Sequence, residues 1–231
     1  MDFNFSGIAY TASIWILPVL IAITFHEAAH GWVAWRLGDY TAYNQGRVTL
    51  NPIKHIDTFG TIILPGLLLF DSGGQMMFGF AKPVPVNFNA LRNPRHDMIL
   101  VALAGPISNI LLAIAATALL HATTLMDGDS RNWVTINLVN AVKINLLLFV
   151  FNMIPLPPLD GGRIAVGLLP KPLAVKFSEL ERFGFFILLG ALFLLPYLGE
   201  KIGLNLNIFS WLVGAPTEYL MILLLTSFGF I

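Results

Sequence analysis

Thr24-Phe25-His26-Glu27-Ala28-Ala29-His30-Gly31-Trp32 places two imidazoles and a carboxylate in a stretch that is otherwise apolar. From Gly7 to Trp35 there is no other charged residue, and as a helix the run measures about 43 Å, longer than the ~30 Å hydrocarbon core of a bilayer. Reading it as a membrane span decides the fold class. Ionisable groups at that depth are costly unless they are paired or metal-bound, so they mark function by default. His26 and His30 are four residues apart and lie about 40° from one another around a helix axis, close enough to hold one metal ion with Glu27 beside it. The competing explanation is a hydrogen-bonded histidine pair that joins two helices.

The composition agrees with a membrane chain. Of 231 residues 56% are hydrophobic and 11% charged, with a mean hydropathy of +0.76, which leaves too little polar surface for a soluble globule. Formal net charge is zero and the basic residues form no patch, so nucleic acid is excluded as a partner. With no cysteine, a metal must be held by histidine and carboxylate. The first residues lack the basic region of a cleaved signal, and the first apolar segment carries the motif, so that segment is expected to stay in the mature protein.

Outward from the first span, the expected fold is an all-α polytopic membrane protein with about five full spans, one re-entrant segment and a small membrane-dipping β-segment. Gly46 to Pro52 reads as a short strand closed by a turn. Residues 60 to 70 are too short to span and carry Pro65-Gly66, which suggests the re-entrant piece. Residues 78 to 86 are rich in Phe and Val but contain Pro83 and Pro85, the pattern of an edge strand. Further spans are expected from Met98 to Leu120, Trp133 to Met153, Phe183 to Gly199 and Leu204 to Ile231. The third span carries Asn137, Asn140, Asn145 and Asn152, a polar load that implies a helix facing the bundle. Prolines and glycines from Pro155 to Gly162 predict an unwound segment that leaves Asp160 at membrane depth. No repeat or linker divides the chain, so residues 1–231 are expected to form one domain, with a core at 7–165 and accessory helices at 166–231.

Putting Arg36 in the cytosol gathers most basic residues there, as the positive-inside rule requires. The same parity brings the ends of the first and third spans to one leaflet. Asp160 is therefore the carboxylate best placed to join His26 and His30, with Asp97 and Glu218 as weaker candidates. Two imidazoles and one carboxylate on Zn²⁺ leave an open fourth position, the pattern of a catalytic site, with Glu27 as general base and amide hydrolysis as the reaction. His55, His96 and His121 fall at span edges and read as interfacial hydrogen-bonders. Lys143 either snorkels to the outer surface or meets a neighbouring Asn or Glu218.

The motifs His26-Glu27-Ala28-Ala29-His30, Ala104-Gly105-Pro106-Ile107-Ser108-Asn109 and Asn152 through Gly161 resemble those of the site-2 protease family of intramembrane metalloproteases. The resemblance covers residues 7 to about 165. It implies one Zn²⁺ bound by His26, His30 and Asp160, Glu27 as base, and Asn152 as a donor to the oxyanion of the tetrahedral intermediate. It also implies a transmembrane protein substrate in the lipid bilayer, a multi-pass location in the cell membrane, and an active site nearer the cytosolic leaflet. No PDZ-like or CBS-like insert is present. A helical substrate must unwind to expose a carbonyl, and the edge around Phe80 to Val86 is expected to pair with it by strand addition. The alternative function is a divalent-cation transporter, which would also place His and Asp at mid-membrane; it should show a second polar pathway, and Gly7 to Phe25 offers almost none.

Overall fold

The computed structural model describes residues 5–63 and 82–231. Helices joined by turns and loops make up these residues, and no strand occurs among them. Helix α1 spans Phe5–Arg36 and carries Pro18 inside it. A short helix α2 (Thr41–Asn44) follows, then a turn at Pro52–Lys54 and a wide helical turn at Thr58–Ile63. Helix α3 spans Pro94–Leu120 and α4 spans Gly128–Asn152. The short helices α5 (Asp160–Leu168), α6 (Lys171–Ser178), α7 (Glu181–Leu189) and α8 (Leu195–Lys201) lead to the last helix, α9 (Ala215–Ser227). A wide turn at Ser210–Gly214 runs directly into α9.

Four helical stretches are long and apolar enough to cross a membrane: Ala9–Arg36, Pro94–Leu125, Gly128–Asn152 and Glu181–Lys201. The first three pack on one another around small residues, and Ala113, Ala116, Val142 and Leu146 form a buried cluster covered by Leu220, Met221 and Leu224 of α9. Close approach of small side chains is how helices associate when lipid removes the hydrophobic drive between them. Polar cross-links add to it. Trp133 Nε1 donates to Ser13 Oγ (3.0 Å), Asn140 Nδ2 donates to the Ile14 carbonyl (2.9 Å) and Asn109 Nδ2 donates to Asn145 Oδ1 (2.9 Å). Asn140 and Asn145 of α4 thus serve as interhelical glue, whereas Asn137 Nδ2 donates to the Trp133 carbonyl of its own helix (3.0 Å).

The last helix runs alongside α3 and α4. Phe209 lies against Phe151 near the end of α4 (6.4 Å between ring centroids). Phe230 stacks on His121 just beyond α3 (4.4 Å). Its entry is also fixed, because Leu206 packs against Gly199 of α8.

Three local expectations meet a different structure. Residues 46–52 form a turn and bends, not a strand, because side chains take the backbone groups a ladder would use: Thr49 Oγ1 accepts from Asn51 N (3.2 Å), Asn51 Oδ1 accepts from Ile53 N (3.1 Å) and His55 Nε2 donates to the Thr49 carbonyl (2.9 Å). Residues 82–86 of the expected β-segment form no strand, and the Lys82 amide donates to the His55 carbonyl (3.0 Å). Pro83 and Pro85 have no N–H, and the amide of Val84 donates to the Glu27 carboxylate (2.7 Å). Residues 78–81, and residues 64–70 of the expected re-entrant piece, lie outside the described residues. Asp160 stands at the first position of α5 and not within an unwound segment. The irregular chain ends at Leu159, and Gly161 and Gly162 carry the helix onward because a Cβ on either would overlap the backbone of Met153 to Pro157.

Candidate metal centre

Two elements carry the donors. In α1, His26 and His30 stand one helical turn apart with ring centroids 4.6 Å from one another, and both are buried. Asp160 is brought to them by α5. Arg95 of α3 holds that helix by its C-terminal end, donating to the carbonyls of Gly167 (2.8 Å), Leu168 (3.3 Å) and Leu169, a side-chain cap on groups that the helix leaves unpaired.

The donor atoms converge. His26 Nε2 lies 3.0 Å from His30 Nε2, and Asp160 Oδ2 lies 3.2 Å from His26 Nε2 and 3.3 Å from His30 Nε2. The other side of each ring fixes its tautomer. The Val101 carbonyl can only accept, so His30 Nδ1 is the donor to it (2.7 Å). Asn109 spends its NH₂ on Asn145 Oδ1 and on the Ala22 carbonyl (3.3 Å). Its Oδ1 therefore accepts from His26 Nδ1 (2.7 Å). Both Nε2 atoms are consequently bare lone pairs facing a carboxylate, and Asp160 Oδ2, though buried, has no hydrogen-bond partner. Three mutually repelling acceptors at this spacing fit a cation. His26, His30 and Asp160 offer ligand atoms that all lie within 4.8 Å of one another.

Gly105 of α3 closes the site from behind. A Cβ there would collide with the His30 ring and reach within 2.6 Å of His26 Cε1, so only glycine lets α3 approach the imidazoles this closely. In front lies a cavity of about 150 Å³, bordered by Glu27, Val84, Phe88, Asn152, Pro158 and Arg163. Glu27 thus faces the space beside the histidines while one carboxylate oxygen accepts the Val84 amide. That amide is accordingly not open to a substrate, in contrast to the expected strand addition at this residue. Asn152 borders the same cavity, with its Nδ2 donating to the Leu148 carbonyl (3.0 Å).

The weaker ligand candidates are elsewhere. Asp97 accepts from its own helix start at Asn93 N (2.9 Å), and Glu218 is exposed on α9. His96 lies 3.5 Å from Asp97. Asn109, the Val101 carbonyl and Gly105 are the parts of the site that sequence reasoning did not assign to it. The available signal was that a ligating histidine needs an acceptor for its second nitrogen, and Asn109 is a buried-type polar residue in an otherwise apolar span.

The family model described as "Peptidase family M50" matches residues 124–192, the part that carries α4 and Asp160. A candidate zinc metalloprotease of Bacillus subtilis (strain 168), YwhC, is 40% identical over 193 residues, which is 78% of this chain and 80% of that protein. This chain belongs to peptidase family M50, the site-2 proteases. Two other members carry the name Rip2 and are likewise candidate zinc metalloproteases. The one from Mycolicibacterium smegmatis is 31% identical and the one from Mycobacterium tuberculosis 32% identical; each alignment covers 62% of this chain and 52% of the relative. The chain therefore spans about half the length of these mycobacterial relatives. No solved structure matches it. Membership makes the chain a multi-pass membrane zinc metallopeptidase of the site-2 type, and neither comparison points to a transporter.

Proposed function

We propose that His26, His30 and Asp160 hold one zinc ion, that Glu27 is the general base and that Asn152 is an oxyanion donor, in an enzyme that hydrolyses peptide bonds within or near transmembrane segments. The observation that carries this reading is the tautomer lock: both rings give their Nδ1 proton to α3, so two free Nε2 atoms and an unpartnered carboxylate oxygen meet at one point. Zinc, when held there, supplies Lewis acidity toward the scissile carbonyl and acidifies water.

The remaining steps belong to this chain's own groups. Glu27 takes the proton of the attacking water and passes it to the leaving amine. The Val84 amide holds that carboxylate at 2.7 Å and keeps it beside the ligands. One N–H of Asn152 is engaged by Leu148, and the second is available to the developing oxyanion. The surrounding helices exclude bulk water, which strengthens each of these interactions. The substrate enters locally unwound, and the chain from Lys82 to Val86 offers it the backbone groups that Glu27, Arg47 and the His55 carbonyl do not use.

In the cell membrane, the site lies toward the cytosolic leaflet, which the position of the basic residues supports. Five apolar helices are read as spans: Ala9–Arg36, Pro94–Leu125, Gly128–Asn152 and Glu181–Lys201, which are long and apolar enough to cross, and the helix that ends in α9, which runs from the Asn152 end of α4 to the His121 end of α3. Residues 1–231 work as one peptidase domain, with 7–165 as its core.

Glu27→Gln separates the roles. Purified full-length variant should keep about one zinc per chain yet lose peptide hydrolysis by a factor on the order of 10³, since the amide cannot accept a proton. Metal analysis alongside cleavage of a single-span substrate decides it. Wild-type cleavage by this variant would remove Glu27 as base, and full zinc content in Asp160→Ala would remove Asp160 as ligand.

A further inference from the structure

Two opposite charges stand on helices that the reading above places across the membrane, and they take no part in the metal centre. Lys143 of α4 and Glu218 of α9 are both exposed. Among the described residues neither has an ion-pair partner within 4.0 Å. In lipid such groups need a partner.

They share a depth. α9 is level with α4 where Phe209 meets Phe151, and level with the end of α3 where Phe230 meets His121. The helices rise by about 1.5 Å per residue, and the wide turn at Ser210–Gly214 shortens the first count by no more than about one residue. Counting from the first contact, antiparallel to α4, sets Glu218 beside Val142. Counting from the second, parallel to α3, sets it beside Asn109 or Ile110, and the Asn109–Asn145 bond carries that level across to Ile144. Both routes place Glu218 within about one turn of Lys143.

They also share a face. On α4, Val142 belongs to the cluster covered by α9, Asn145 faces α3 and Asn140 faces α1. At about 100° per residue, Lys143 falls between the sides toward α9 and α1, opposite α3. On α9, Leu223 and Ser227 border a cavity with Ile110 and Ile114 of α3. Glu218 lies roughly 140° to 180° around the helix from them, again away from α3. Both charges thus flank one lipid-facing groove between α4 and α9.

We propose that this groove is a contact between two copies of the chain, in which Lys143 of each copy pairs with Glu218 of the other. A two-fold axis along the membrane normal preserves depth, so only residues at equal depth can meet across it. A cation and an anion at equal depth on one face are therefore self-complementary under that operation, and a single interface satisfies all four charges. A partner carrying one charge would leave the other unmatched in lipid.

The test uses the full-length chain in lipid nanodiscs and detergent, with mass measured by light scattering across a concentration series. A dimer is expected, and Lys143→Glu or Glu218→Lys alone should raise its dissociation constant by at least about 10-fold. The two reversals combined should restore it. If a reversal does not accumulate, the neutral variants Lys143→Met and Glu218→Gln carry the same measurement. Because the chain has no cysteine, Lys143→Cys with Glu218→Cys adds a second readout, and oxidation should yield a product of doubled mass. A monomer at every concentration overturns the proposal. So does a cross-link confined within one chain, which would make the pair intramolecular.

Discussion

The α1–α3–α4 bundle and the Glu181–Lys201 helix are about equally apolar, yet they are held in different ways. In the three bundle helices 28–33% of the most apolar window is buried by the protein, against 11% for Glu181–Lys201. The bundle gains its definition from polar groups: Asn109 alone bonds to His26, Ala22 and Asn145 across two helix interfaces. The outer helix turns Phe183, Phe185 and Phe186 outward and meets the site where Gly184 lies against Pro157. Apolarity thus brings a helix into the bilayer, while small residues and buried polar bonds decide where it stands.

If that contrast is right, the largest effect should come from the tightest contact in the bundle. Gly105→Ala puts a methyl group into the His30 ring, so the purified variant should lose stoichiometric zinc while still inserting into the membrane; metal content measured beside a membrane-extraction assay checks both. A variant that holds zinc as tightly as wild type would mean that α3 can move away from the imidazoles. A smaller effect is expected of Asn109→Ala, which deprives His26 Nδ1 of its acceptor without touching a ligand. Zinc affinity should fall by about 10- to 100-fold, as for other partners of metal-bound histidines, and a chelator titration reads it directly. The smallest change should come from Phe186→Ala on the outer helix. Its ring is exposed, so thermal stability in detergent should move by no more than roughly 0.5 kcal/mol. A larger loss would show that Glu181–Lys201 is packed against something more than lipid.

Much of the site was legible in the chain before its fold. His26 and His30 declare themselves by spacing, because four residues on a helix bring two rings to one side, and Glu27 is the single charge in its span. Asp160 was expected from the parity of the spans, and the structure brings it to both histidines. Asn152 was found through resemblance, and the structure brings it to the cavity. The β-segment was less legible. Its Phe and Val content matched strand propensity, but propensity is set by pairing partners, and among the described residues the Lys82 and Val84 amides are taken by His55 and Glu27, the Lys82 carbonyl by Arg47, and Pro83 and Pro85 have no N–H to offer.

What the sequence determined alone is whatever depends on local period and on the cost of charge in lipid: a helical membrane chain with several apolar helices, and the candidate metal-binding pair in α1. Those properties are set within single segments. What only the tertiary structure decided is which lone pairs are free. The tautomers of His26 and His30 depend on an asparagine 83 residues away and a carbonyl 71 residues away. The room for both rings depends on a missing Cβ at Gly105. No single segment contains these facts, because a hydrogen bond and a van der Waals contact act only over a few ångströms, and α3 comes within that range only when the bundle closes.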